Sequence, residues 1–255
     1  MSLRPAPLLV LAICAAPAVA RGQTMLDQEQ RLIDIHSLLL DLPPLQAPGA
    51  LAPGRLGVGV EVIGIPDIDG TTGGKRQITA SDRTRLFPRP RVMVGLPAPE
   101  GFAAFAGASY IPPIAIREVS THYGAAEAGI AWTPRVLRAG LRGHLLHATS
   151  RSPVTDPATR DTLETFEYGG DLSVGARLRL APGTLEPYAG AGVVSLRGRF
   201  RVTSDGAILR SDHTGAALHA GLRFLFRDRW EAVAELDAYP SRLVHGIVRV
   251  GYLIR

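Results

Sequence analysis

The sequence predicts an all-β fold: about ten antiparallel strands in an up-and-down meander closed into a barrel, preceded by a short N-terminal amphipathic helix. Three observations predict it. Apolar and polar residues alternate at period two from Arg55 to the end of the chain, the spacing of strands with two unlike faces. The connections alternate between tight turns and long polar loops. The runs themselves are about 10–16 residues long, longer than most strands of globular sheets.

Residues 1–20 carry the pattern of a secretory signal peptide: Arg4, an apolar run from Leu8 to Cys14, and the small-residue cleavage site Ala18-Val19-Ala20. Cys14 is the only cysteine and lies inside this leader, so the mature chain is expected to hold no disulfide and no reactive thiolate. No later stretch reaches the ~18 uninterrupted apolar residues of a transmembrane helix candidate.

Residues 21–54 hold the helix and a linker. Thr24 and Asp27 have capping-box spacing, and Met25, Leu32, Ile35, Leu39 and Leu42 make an apolar stripe. Pro43-Pro44 stops the helix, and LQAPGALAPG reads as a Pro/Gly linker. The stripe is too short for a coiled coil and needs burial against something else.

Residues 55–255 form the barrel. Strands are expected near Arg55–Ile65, Arg89–Leu96, Phe102–Ile111, Ser120–Thr133, Val136–Thr149, Phe166–Ala181, Leu185–Val202, Thr214–Arg227, Trp230–Ala238 and Val244–Arg255, with Pro112-Pro113 ending the third. The short connections PAPEG, TPR, APGT and RDR fall at one end of such a meander. The long ones, IPDIDGTTGGKRQITASDRTRLFP and SRSPVTDPATRDTLET among them, fall at the other.

Within the strands, charge sits on one face only. Glu167, Asp171, Ser173, Arg177 and Arg179 alternate with Tyr168, Leu172, Val174, Ala176 and Leu178; Glu231, Glu235 and Asp237 alternate with Trp230, Ala232, Ala234 and Leu236. A soluble barrel turns its apolar face inward, and a membrane barrel does the reverse. Period cannot separate these, but the segregation of long loops to one end favours the membrane, and strands of about ten residues suffice to span it. Trp132, Tyr188, Phe226, Trp230 and Tyr252 fall near the short-turn end, where an interfacial girdle is expected.

The last eleven residues, HGIVRVGYLIR, put Gly246, Val248, Val250, Tyr252 and Ile254 on one face and His245, Ile247, Arg249, Gly251 and Leu253 on the other. They resemble the closing strand of bacterial outer-membrane β-barrels, and the resemblance extends over residues 55–255. It implies a location in the cell outer membrane, with outer-membrane lipid as the surrounding partner. It also implies that the last strand pairs with the first, and that the barrel assembly machinery reads Val248, Val250, Tyr252 and Ile254; Arg255 stands where that family prefers Phe or Trp. The helix of residues 21–54 is then expected on the periplasmic side, docked to its own barrel or to a periplasmic partner.

Inward-facing charges are the candidate functional residues: Glu61, Glu127, Asp171, Arg177, Arg223, Glu231, Glu235 and Arg249, joined by Arg91, Arg138 and Arg142. A lumen of this size fills with side chains, and acid–Arg pairs avoid isolated charge in it. Glu235 and Arg249 are expected near the same depth. The net charge of +5 and pI near 9.9 rest on arginine, with Lys75 the only lysine and no basic run interleaved with aromatics, so nucleic acid is not an expected partner.

No cofactor, metal or catalytic residue is assigned. Asp67 and Asp69 lack the further oxygen ligands of a calcium loop, and GVGVEVIG lacks dinucleotide spacing. The expected function is non-enzymatic: a structural or surface-binding barrel, or a narrow passive, porin-like pore. The alternatives are a hydrolase using loop acids such as Asp67, Asp69, Asp82, Asp205 and the Asp212-His213 neighbours, or a secreted lipocalin-like carrier.

Overall fold

Alternating runs become strands, and each strand pairs with its neighbour in sequence. The computed structural model describes residues 25–64, 86–116, 119–134, 136–152 and 158–254. Among them are one helix, α1 (Met25–Leu38), and the strands β1 (Leu56–Gly64), β2 (Leu86–Leu96), β3 (Phe102–Ile116), β4 (Val119–Trp132), β5 (Leu137–Ser152), β6 (Asp161–Ala176), β7 (Leu178–Leu180), β8 (Gly183–Arg201), β9 (Ile208–Phe226), β10 (Trp230–Tyr239) and β11 (Leu243–Ile254). β7 carries on beyond β6 and pairs with the same neighbour, β8, so the sheet has ten staves. β1 pairs antiparallel with β11, setting Glu61 opposite Arg249, and the sheet closes. The expected leader, and Asp67, Asp69 and Asp82, lie outside the described residues.

Proline places the irregularities. β3 runs on to Ile116 through Pro112-Pro113, where its pairing with β4 slips register between Ile111 and Ile114. A bulge absorbs the missing donors, which is why the diproline does not end the strand as expected. β2 carries Pro88 and Pro90, yet its ladder with β3 covers only Val92–Leu96 against Ala104–Ala108. The prolines therefore sit where no β3 partner asks for an N–H.

The two faces are inverted relative to a soluble protein. Leu172 is 66% exposed, Val250 57% and Leu222 53%, whereas Arg89, Arg91, Arg223 and Arg249 are at most 2% exposed. A continuous apolar exterior around a closed, edge-free sheet is what hydrocarbon requires of a β-structure. The chain is a closed β-barrel with its apolar face outward, the arrangement of a membrane-spanning barrel. Its band ends where the outward face of β8 and β9 turns charged, at Arg197 and Asp212. At the short-turn end Trp230 stacks edge-on against Tyr252, with ring centroids 5.0 Å apart, and Phe102 pairs with Trp132. Tyr188, expected in that girdle, instead faces inward and packs with Leu45, Ala47, Ile63, Val233 and Ile247.

The helix and linker lie inside the barrel. Ile35, Leu38 and Leu39 pack on Val194 and Leu196 of β8 and on Tyr239 and Leu243, toward the long-loop end. Ile33 and Ser37 lie against Gly198, and Ser37 Oγ is 3.0 Å from Thr165 Oγ1. The chain then descends the lumen. Leu42 joins Tyr123, Leu146 and Ala148; Leu45 sits lower; Leu51 reaches Met93, Leu225 and Leu253 at the short-turn end. There Gly54 donates its N–H to Gly95 O, and a Cβ on Gly95 would come 2.0 Å from Ala52 O. Of the two expected alternatives, its own barrel or a partner, the helix packs on its own barrel, inside the lumen and toward the long-loop end. Burial of the stripe is the reason: the barrel wall offers α1 an apolar surface there.

Candidate functional site: the lumenal charge network and its plug

Residues 41–48, DLPPLQAP, contain three prolines, so the segment carries more carbonyl acceptors than N–H donors. Buried backbone acceptors need partners. The wall supplies guanidinium groups, which only donate. Arg89 Nη1 donates to the carbonyls of Leu40 (3.1 Å) and Asp41 (2.7 Å), and Arg142 Nη1 to Leu42 O (2.7 Å). Arg91 reaches Pro43 O (2.9 Å) and Pro44 O (3.1 Å), and Arg138 reaches Gly49 O (2.8 Å). An acceptor-rich strand of chain thus threads a donor-lined tube.

The same arginines are held by acids. Glu61 binds Arg89 and Arg91 at 2.7 Å each; Glu127 joins Arg91 to Arg142 (3.2 Å); Asp171 binds Arg142 at 2.7 Å. A second chain runs from Arg177 through Glu186, Arg223 and Glu231 to Arg249. Charge alternates along both, so each ion is paired in a low-dielectric interior.

Seven of the eight expected lumenal residues, Glu61, Glu127, Asp171, Arg177, Arg223, Glu231 and Arg249, take part in these chains. The eighth does not. Both oxygens of Glu235 accept the Leu45 N–H at 3.2 Å, and Arg249 turns to Glu231. Strand register explains it: Arg249 faces Val233, Glu235 faces Ile247, and the pair expected at one depth is offset. Arg179 is exposed in β7, beyond the break in β6 at Arg177.

Sequence reasoning missed Arg89 and Glu186, each at the margin of an expected strand, and it missed what the plug brings. Asp41 Oδ1 lies 3.1 Å from His144 Nε2, and Tyr239 donates its hydroxyl to Asp41 Oδ2. Ser211 Oγ donates to Asp34 Oδ1 at 2.6 Å, and Arg242 lies 3.4 Å from Asp34. Two lumenal voids beside this segment measure about 10 and 20 Å³.

Of the loop acids, only Asp205 and Asp212 lie among the described residues. Asp212 and His213 fall within β9, on opposite faces; Asp212 lies 3.8 Å from Arg197 in solvent, and Asp205 caps its own turn at Ala207 N.

No protein-family model matches the chain, and no curated protein matches it. Among solved structures it is similar to the N-terminal β-barrel domain of Pseudomonas aeruginosa OprF, at 12% identity over 79% of this chain and 98% of that one, with a TM-score of 0.30. It is similar also to the translocator domain of autotransporter NalP from Neisseria meningitidis, at 12% identity over 90% and 95% of the two chains and a TM-score of 0.42. The third is Ail, the attachment invasion locus protein of Yersinia pestis, at 11% identity over 79% and 99% and a TM-score of 0.34.

Proposed function

We propose that this barrel is a non-enzymatic, self-plugged outer-membrane protein that works through its long-loop face, as a structural or surface-binding element rather than an open pore. One observation carries the reading: residues 33–51 occupy the lumen and are bonded to wall arginines along its length. Each of those bonds involves a buried charged donor, the stronger kind, and to move the segment the chain must break several together. The segment has no fixed counter-charge of its own at the prolines, so it seals the tube without competing for the acids. Outward-facing Val248, Val250, Tyr252 and Ile254 on β11 would present the closing strand to the barrel assembly machinery.

The test is conductance in planar bilayers. The intact protein is expected to be electrically silent, and a variant lacking residues 25–51 but still heat-modifiable on gels is expected to conduct. Steady ion flow through the intact protein would instead establish the narrow passive pore.

A further inference from the structure

We propose that Asp41, His144 and Glu167 form a site for one divalent transition cation, which ties the lumenal segment to the barrel wall. Asp41 belongs to the plug, His144 to β5 and Glu167 to β6. His144 Nε2 stands 3.1 Å from Asp41 Oδ1 and 3.8 Å from Glu167 Oε1, and one donor atom from each residue lies within 4.8 Å of the other two. Two donors at ordinary zinc distances from one tetrahedral ion are about 3.4 Å apart. The cluster is spaced to chelate once its side chains close in around an ion.

Charge gives an independent argument. Glu61, Glu127, Asp171, Glu186 and Glu231 each contact at least one arginine. Glu167 is fully buried, and among the described residues no donor reaches either of its carboxylate oxygens. Asp41 and Glu167 have no arginine within salt-bridge distance among the described residues; His144 is the one basic group beside both. Two carboxylates and an imidazole in a dry interior are short of positive charge, and a divalent ion supplies it.

The surroundings orient the donors. The Tyr239 hydroxyl donates to Asp41 Oδ2 and the Leu42 N–H to Oδ1 at 2.5 Å, the kind of supporting bonds that fix a ligating carboxylate, and Oδ1 also faces His144. Gly169 lies across from His144 in the β5–β6 register, and a Cβ there would come 2.6 Å from His144 Cε1. Glycine is what lets the imidazole lie flat against β6. A void of about 10 Å³ beside Asp41 and His144 has room for one water as a fourth ligand. One imidazole and two carboxylates suit Zn²⁺ and its first-row neighbours, while Ca²⁺ takes six to eight oxygens and Mg²⁺ a near-ideal octahedron. The latch, as distinct from ion binding, rests on the self-plugged reading.

The experiment uses the full chain without a polyhistidine tag, refolded into detergent with a chelator or with Zn²⁺ or Co²⁺, then desalted. The expected result is one Zn²⁺ per folded chain, a visible Co²⁺ absorption typical of low coordination number, and a raised thermal midpoint with Zn²⁺. H144A and E167Q should stay heat-modifiable and lose the stoichiometric ion, and G169A, which keeps all three donors, should weaken binding at least tenfold. Should the first two fold poorly, G169A and the wild-type Co²⁺ spectrum still decide. Wild-type protein that holds no ion, or uptake unchanged in H144A, E167Q or G169A, overturns the site. A silent barrel that takes no ion refutes the site and leaves the plug; a conducting barrel that takes one refutes only the plug.

Discussion

Arg142 of β5 donates from Nη1 to the Leu42 carbonyl at 2.7 Å and to Glu127 Oε2 at 3.2 Å, while Nε and Nη2 hold Asp171. One guanidinium therefore ties plug, β6 and β4 together. Neither half of this arrangement is complete alone: without the plug the arginine lacks an acceptor, and without the arginine the plug carbonyl is buried bare.

Arg142→Met is expected to cost about 3–5 kcal/mol, because it leaves Asp171 and part of Glu127 as buried charges without a partner. Arg142→Lys should recover only part of this, since an ammonium lacks the planar fork that spans three acceptors. Urea titration of the protein in detergent, followed by tryptophan fluorescence, reads both. Equal stability of all three proteins would show that the network is solvated.

The lipid face predicts a different pattern. Val250→Arg and Leu222→Arg are expected to cost about 2–4 kcal/mol each, as for a charge near the bilayer midplane. Ala207→Arg, in an exposed turn beyond the charged rim, should be nearly neutral. Ser173 would have served as a mild lumenal control in an empty tube. It instead lines a void of about 20 Å³ beside Pro48 and Gly140, too small for a guanidinium, so Ser173→Arg should also destabilise.

The barrel was legible because its evidence is local. Alternation in single strands and the length of single connections are properties of short windows, and β1 through β11 fall close to their expected spans, including the β1–β11 closure. The plug was not legible for the opposite reason. Met25 to Leu42 shows an apolar stripe, but what buries it is Val194 and Leu196, some 150 residues away and themselves inward-facing exceptions to the charged face. A trace was present in the DLPPLQAP run, whose surplus of acceptors matches the surplus of inward arginines. The Asp41–His144–Glu167 cluster needs three elements at once and has no sequence spacing to betray it.

Glu235 and Arg249 test the register. In double-mutant cycles, Glu231 and Arg249 should couple by roughly 1–3 kcal/mol, as a shared buried network does. Glu235 and Arg249 should couple distinctly less, since Glu235 spends its oxygens on the Leu45 N–H. Glu235→Gln alone should therefore loosen the plug near Leu45 rather than the wall, seen as faster proteolysis of the lumenal segment. A larger coupling for Glu235–Arg249 would mean that the β10–β11 pairing is shifted.

The path of the plug fixes which end of α1 faces out. Ile33 lies at Gly198 and Leu39 further down at Val194, so Arg31 stands nearer the long-loop mouth than Leu39 does, with its side chain exposed. Glu100 occupies the tight turn between β2 and β3 at the opposite end. With Cys14 the only native cysteine, and in the expected leader, single cysteines report cleanly. In intact cells a membrane-impermeant maleimide should label Arg31→Cys and spare Glu100→Cys, and permeabilised cells should show both. Long loops face outward in barrels of this kind, so the two positions must differ if the helix enters the lumen from the outer mouth. Labelling of Glu100→Cys but not Arg31→Cys in intact cells would reverse the barrel in the membrane. Protection of both until permeabilisation would return the helix to the periplasm and leave the lumen to some other occupant.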